Sequence, residues 1–159
     1  MKQLFITSPS FQDGDFIPEK HTGKKGISPA FHVENIPADS QSLVIIMDDL
    51  DTPLKKEFTH WIIWNLPPFA DIPEGIPEGA IVENLQRAIQ GVAYGQNKYK
   101  GPKKSLLPIK SHRYVFKFYA LNTSLDLIFS AEKHHLIKAM NSHIIATGSI
   151  LGRYPHQES

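Results

Sequence analysis

Two short polar blocks carry the chemistry available to this chain: Asp49-Leu50-Asp51-Thr52-Pro53, with His60-Trp61 shortly after it, and His112-Arg113-Tyr114-Val115-Phe116. Two carboxylates, two imidazoles, a guanidinium and a phenol sit beside apolar runs that read as buried strands. A fold that pairs such runs gathers the polar groups at one place, and the set can bind a small anionic or zwitterionic ligand. A phosphate oxygen needs donors. Imidazole N–H groups of His60 and His112, the Tyr114 hydroxyl and backbone N–H groups beside Gly101 would supply neutral ones in a cramped pocket. A residue without Cβ at position 101 would let the backbone approach closely.

Each residue also has a plainer reading. Asp49 and Asp51 ahead of Pro53 suit an Asx-type turn, His60 beside Trp61 suits a hydrogen-bonded core histidine, and Tyr114 suits strand packing. Arg113 paired with Asp51 would be structural even within a real site, because a buried guanidinium requires a carboxylate. An enzyme is the alternative from a different class. Asp49, Asp51, His60 and His112 include the ligand types of a hydrolase using Zn²⁺ or another divalent metal. Their spacing matches no metal signature, however, and Arg113 would repel a cation. Gly148-Ser149 is followed by Ile150-Leu151, so the Gly-x-Ser-x-Gly elbow of serine hydrolases is missing. A His/Asp-based hydrolase, with or without a divalent metal, is therefore the second reading, with no catalytic nucleophile, metal ligand set or cofactor identified.

The elements that must position these residues are mostly strands. Residues 43–47 and 61–66 are apolar runs rich in β-branched and aromatic side chains, the first ending at acids and the second at Pro67-Pro68. Residues 114–121 form a third, with Lys117 as its one charge. These predict three central strands. From 67 to 108 the chain reads as loop, holding six of the twelve prolines. Within it, the tandem Ile72-Pro73-Glu74-Gly75 and Ile76-Pro77-Glu78-Gly79 predicts successive tight turns. One helix is expected near 130–142, with Ser130 as N-cap, Glu132 in the first turn and Leu136, Ile137 and Met140 on the apolar face. His134, His135 and His143 would then be surface or terminal residues. A short strand or extended tail is expected at 149–154.

Bulk properties bound the class. A chain of 159 residues, 41% hydrophobic and 21% charged, has ordinary globular composition and can bury a core, so one domain over 1–159 is expected. The absence of Cys excludes disulfides, thiolate metal sites and a Cys nucleophile. The apolar run near the N-terminus is too short for a signal peptide, and no stretch approaches the ~20 apolar residues of a membrane span. A soluble, cytoplasmic protein is expected. The net charge of +1 hides an asymmetry: between Asn84 and Leu125 there are eight Lys or Arg and no acid. Interleaved with Tyr94 and Tyr99, that stretch has the ingredients of a nucleic-acid surface, but a near-neutral domain lacks the overall basic excess. No nucleic acid partner is expected. A solvated loop or a basic approach to an anion pocket accounts for the stretch.

In this order the blocks resemble the phosphatidylethanolamine-binding protein (PEBP) family, whose bacterial and archaeal branch is similar to Raf kinase inhibitor protein. The resemblance rests on Ser28-Pro29, the strand at 42–47, the Asp-x-Asp-x-Pro block, His60-Trp61, Asn65-Leu66-Pro67, residues 99–102 and residues 112–119. Ala146, Gly148 and Gly152 extend it towards Tyr154. It implies a mainly β fold, an antiparallel β-sandwich of the PEBP-like type with a few peripheral helices. It also implies a pocket of Asp49, His60, Gly101, His112 and Tyr114, supported by Asp51, Thr52, Pro102 and Arg113, with Asp51 and Arg113 as structural partners. The implied function is binding of a small anion or phosphorylated head group such as phosphate or phosphorylethanolamine. In some members the family also inhibits kinases or proteases.

Within that pocket Asp49 would repel a bound phosphate by several kcal/mol at low effective dielectric unless a proton or cation intervenes. Three arrangements meet the requirement: a proton shared with a monoanionic phosphate, a contact with the amine of an ethanolamine head group, or an Asp that orients a histidine. The first two make binding weaken as pH rises above neutrality. The chain departs from the family pattern in two places. Leu50 replaces the usual Pro between the acids and frees a fixed φ. Residues 103–111, basic and partly apolar, replace a short Pro-rich link. They would reshape the pocket rim, changing the ligand admitted or contacting a protein partner through Leu106, Leu107 and Ile109. A homodimer is compatible with either.

Overall fold

Apolar runs long enough to cross a sandwich form its centre, and shorter segments complete its edges. The structure, a computed structural model, describes residues 1–53, 57–103 and 111–156. Most of the 103–111 rim, including Leu106, Leu107 and Ile109, lies outside them, and so does the partner contact expected there. In chain order the strands are β1 (Lys2–Gln3), β2 (Phe5–Thr7), β3 (Phe31–Glu34), β4 (Ser42–Asp49), β5 (Phe58–Leu66), β6 (Asp71–Ile72), β7 (Ile81–Val82), β8 (Ala88–Gln90), β9 (His112–Leu121) and β10 (Ile144–Tyr154). Helix α1 (Lys133–Met140) precedes β10.

Seven strands form one sheet in the order β1-β10-β9-β4-β5-β8-β7, and β2-β3-β6 form a second. Every strand pair is antiparallel except β1 with β10. The large sheet is covered on both faces. Leu43, Ile45, Met47, Trp61, Ile63, Phe116 and Phe118 meet Ile6, Phe31 and Val33 of the small sheet, with the Phe31 ring 5.1 Å from those of Phe116 and Phe118. On the other face Val44, Ile46, Ile62 and Trp64 pack under Leu136 and Met140 of α1. All of β4 is therefore buried, which is why residues 43–47 form a continuous apolar run rather than an alternation. The fold is mainly β, as expected. No helix of the described residues is long and apolar enough to cross a membrane.

Several boundaries differ from expectation. All three central strands begin or end beyond their apolar cores, so Asp49, His60 and His112 lie on strands rather than in loops. The helix is shorter than 130–142 and its N-cap is Glu132, not Ser130. The Glu132 carboxylate accepts from the third backbone N–H of the helix, while His135 Nδ1 accepts the Glu132 N–H at 3.0 Å, a reciprocal cap. The strand expected at 149–154 begins at Ile144 and runs along nearly the whole of β9. The region read as loop contains β6, β7 and β8. Gly75 and Gly79 do take positive φ, as the tandem turns require.

Gln90, fully buried on β8, anchors that region to the core. Its Oε1 accepts the Trp61 indole N–H at 2.7 Å, and its Nε2 donates to the carbonyls of Pro77 and Gly79, each at 2.9 Å. Replacing it with Leu leaves one donor and two acceptors without partners. Gln90→Leu is expected to destabilise the fold by about 2–4 kcal/mol, read as a lower urea midpoint. An unchanged midpoint would show that the hub is dispensable.

Candidate functional site

Side chains alternate along a strand, so pairing β4 with β9 decides which polar groups meet. Asp49 lies opposite Tyr114, and His112 is two residues along β9 on the same face. Asp49 Oδ2 accepts His112 Nδ1–H at 2.7 Å, and its Oδ1 accepts the Asp51 backbone N–H at 2.9 Å. The His112 and Tyr114 rings stack with centroids 6.4 Å apart. Burial, followed by the charge of Asp49, pushes the Tyr114 hydroxyl far up, so it stays a neutral phenol.

His60 reaches this cluster through an irregularity. Met47 pairs with Trp61 and Asp48 with Thr59, which leaves His60 as an extra residue on β5. Such a bulge re-aims a side chain. The His60 ring stands perpendicular to Tyr114 at 5.3 Å, and its Nδ1–H donates to the Lys100 carbonyl at 2.9 Å. Burial is the largest cause lowering its pKa, and the Lys100 charge acts in the same direction, against the Lys100 carbonyl and Asp49. His60 is therefore held neutral near pH 7.

The geometry adds a condition to one expectation. A neutral imidazole carries one N–H, and His60 and His112 both commit Nδ1–H to acceptors of the protein. Neither Nε2 has a partner among the described residues, so towards a ligand a neutral ring presents a lone pair rather than a donor. Gly101 has a packing role that the sequence did not show: the space a Cβ would occupy there is filled by the His21 carbonyl and Thr22 Cα, so the glycine serves the approach of the 21–22 backbone. Tyr99 donates its hydroxyl to the His21 carbonyl at 2.8 Å, and Gly23 N–H donates to the Pro102 carbonyl at 2.7 Å. Pro102 thus helps tie the 99–102 segment in place beside His60.

Asp51 and Arg113 are partners in a fork. Arg113 Nε and a terminal nitrogen reach the two carboxylate oxygens at 3.0 and 2.8 Å, and the Arg113 backbone N–H adds a third bond at 2.8 Å. The Arg113 hydrogen bonds hold the Asp51 carboxyl below the usual carboxylate range. Arg113 is exposed rather than buried, contrary to the sequence reading. Thr52 is half-buried and makes no hydrogen bond to a described residue. Asp48, adjacent to Asp49, faces the other way. It accepts the Thr59 hydroxyl at 2.7 Å and Lys133 Nζ at 2.9 Å, and Lys133 also bonds Glu57. Among the described residues no group of three His, Asp or Glu is arranged to hold a metal ion.

Four residues at the site were not picked out from sequence as its members. Fully buried His21 bonds the Ile27 carbonyl at 2.8 Å and Ser10 Oγ at 3.0 Å, fixing the loop against which Gly101 packs. Phe58 pairs with Asp49 on β5, Tyr94 rests against Phe58 and His60, and Lys100 touches His60. Only Lys100 had an available signal, its position next to Gly101.

Comparison with known proteins shows the family and the fold. The family model described as phosphatidylethanolamine-binding protein matches residues 7–155. A UPF0098 protein of Pyrococcus abyssi is 41% identical over 158 residues, covering 96% of this chain and 86% of the relative. One from Chlamydia trachomatis is 35% identical, covering 94% and 97%. A crystal structure described as that of a phosphatidylethanolamine-binding protein homolog from Chlamydia trachomatis superposes with a TM-score of 0.83 at 32% identity, covering 99% of this chain and all of that one. E. coli YbcL shares the fold, with a TM-score of 0.77 at 22% identity over 98% and 99% of the two chains. The chain belongs to the phosphatidylethanolamine-binding protein family.

A His60 whose folded pKa lies below its ordinary 6.5 contributes stability that is present above pH 6.5 and lost as pH falls towards the folded value. In ¹⁵N-edited NMR spectra His60 is expected to show the Nδ1–H tautomer and to protonate only below pH 6.5. An Nε2–H tautomer, or protonation above that pH, would contradict the assignment.

Proposed function

We propose that this member of the phosphatidylethanolamine-binding protein family binds a small phosphorylated ligand at the cluster of Asp49, His60, His112 and Tyr114, with phosphate or phosphorylethanolamine as representative ligands. The observation that carries the reading is the commitment of both Nδ1–H groups inside the protein. Two Nε2 atoms are left for a visitor beside the neutral Tyr114 hydroxyl.

Such a set matches a phosphate that still carries a proton. A P–OH can donate to the His60 lone pair, the Tyr114 phenol can donate to a P–O⁻, and His112, once protonated, can donate from Nε2 while its other side remains on Asp49. Protonated His112 also supplies the positive charge that offsets Asp49. A fully ionised phosphate would face the Asp49 carboxylate and the His60 lone pair together, and both repel it. An ethanolamine ammonium would instead find Asp49. The ligand is therefore monoanionic or zwitterionic at the protein, which favours binding on the acid side of the second phosphate ionisation, about pH 6 for a phosphate ester.

The test is titration of inorganic phosphate and phosphorylethanolamine into the wild type and His112→Ala, followed through the histidine NMR signals. Saturable shifts of His60 and His112 are expected, with affinity falling as pH rises from 6 to 8 and about tenfold weaker binding in the variant. Indistinguishable spectra with and without ligand, or equal binding by both proteins, would refute the reading.

A further inference from the structure

We propose that Lys100 is the specificity-determining residue of this site, its ammonium supplying the positive charge against which a phosphate oxyanion rests. The proposal rests on the head-group reading above. Lys100 meets the site twice. Its carbonyl accepts His60 Nδ1–H at 2.9 Å. Its ammonium lies 4.4 Å above the centroid of the Tyr94 ring, which is itself 4.9 Å from His60 and 4.6 Å from Phe58. One residue thus sets the tautomer of His60 with its main chain and brings a cation close to the same imidazole with its side chain.

Charge balance explains why that cation matters. Asp51 is neutralised by Arg113, and Asp49 is neutralised by His112 only when that imidazole is protonated. His60 contributes no charge. These groups together are neutral at most, so an entering anion would meet no net attraction from them. Among the described lysines nearby, Lys98 pairs with Glu78, Lys20 with Glu74, and Lys133 with Asp48 and Glu57, whereas Lys24 and Lys103 add positive charge around Lys100 without meeting the Tyr94 ring. Lys100 contacts no carboxylate among the described residues. Partial burial and the charges of Lys103, Lys24 and Lys98 all disfavour its charged form. A crowded cation of this kind is relieved when an anion arrives.

Tyr94 is where the ammonium rests. Ala93 and Gln96 exchange both backbone hydrogen bonds at 3.1 Å, and the two residues between them, Tyr94 and Gly95, have φ of 55° and 69°. Two positive φ values define the type I′ hairpin turn, whose first position favours Asn, Asp or Gly. An aromatic residue in that conformation is strained. Its ring is nonetheless held between Phe58, His60 and the Lys100 ammonium, where no fold-wide core requires it. A cation–π contact at a partly exposed ring is weak, so the ammonium can leave the ring for a phosphate oxygen at little cost.

The test uses the full chain, inorganic phosphate at low ionic strength, and four proteins: wild type, Lys100→Met, Lys100→Arg and His112→Ala. Lys100→Met is expected to weaken phosphate binding about tenfold and to flatten its salt dependence, while Lys100→Arg stays within about threefold of wild type. The His60 tautomer should be unchanged in Lys100→Met, because the main-chain carbonyl is retained. If that tautomer is disturbed, Lys100→Arg decides: weakening beyond tenfold would overturn the proposal, and near-wild-type binding supports it. If Lys100→Met binds like wild type while His112→Ala is weakened, the Lys100 assignment is wrong and the head-group reading stands. If wild type shows no phosphate-dependent shift, the head-group reading fails and takes this proposal with it.

Discussion

The register between β4 and β9 is the constraint on which the site depends. Pairing Asp49 with Tyr114 turns Asp49, His112 and Tyr114 to one face, and Asp48 to the other. Because side chains alternate, a slip of one residue would exchange these neighbouring acids, sending Asp48 towards His112 and Asp49 towards Lys133. What prevents the slip is the apolar content of the same strand. Leu43, Ile45 and Met47 fill the space beneath the small sheet, and Val44 and Ile46 fill the space beneath α1. Any shift would exchange both sets at once, so core packing carries the geometry of the polar end.

The site is built on departures from regular strand structure at the end of that register. An extra residue on β5 turns His60 towards Tyr114, and a type I′ turn holds Tyr94 beside it. Segment 99–102 is tied to the His21 loop by hydrogen bonds and by the close approach at Gly101, which places the Lys100 carbonyl to accept the hydrogen bond of His60 Nδ1–H. The protein thereby fixes both imidazole tautomers before any ligand arrives. Preorganisation of this kind reduces the ordering cost of binding, and under the proposed function it requires the ligand to bring its own proton or its own ammonium.

Asp51 and Arg113 stand apart from this chemistry. Their fork closes the loop after β4 onto the start of β9 with three hydrogen bonds at the solvent boundary. The Asp49 oxygen that accepts the Asp51 N–H pins the same loop from inside. With two anchors of this sort, the loop is shaped without the fixed φ that a proline at position 50 would supply.

The strand cores at 43–47, 61–66 and 114–121 were legible in the sequence because short apolar runs rich in β-branched and aromatic side chains read as buried strands. That Asp49, His60, His112 and Tyr114 lie at the ends of those runs was legible from their positions, and the Asp51–Arg113 pairing followed from the family resemblance. The short strands β1, β2, β6, β7 and β8 were not legible, since two or three residues carry no periodicity. Nor was the full β10, whose pattern is interrupted by Gly148 and Gly152, each of which is pressed against a neighbour, Leu4 and Ile17 respectively. The sequence by itself thus determined which groups could do chemistry and that strands would carry them. The tertiary structure alone decided that His60 leaves the regular alternation, that both imidazoles spend Nδ1–H on the protein, that Gly101 yields space to His21, and that Lys100 lies beside His60 and Tyr94. The physical reason is that hydrogen-bond direction and close contact depend on atoms far apart in the chain, such as His60 and Lys100 or Gly101 and His21, whose meeting no local pattern encodes.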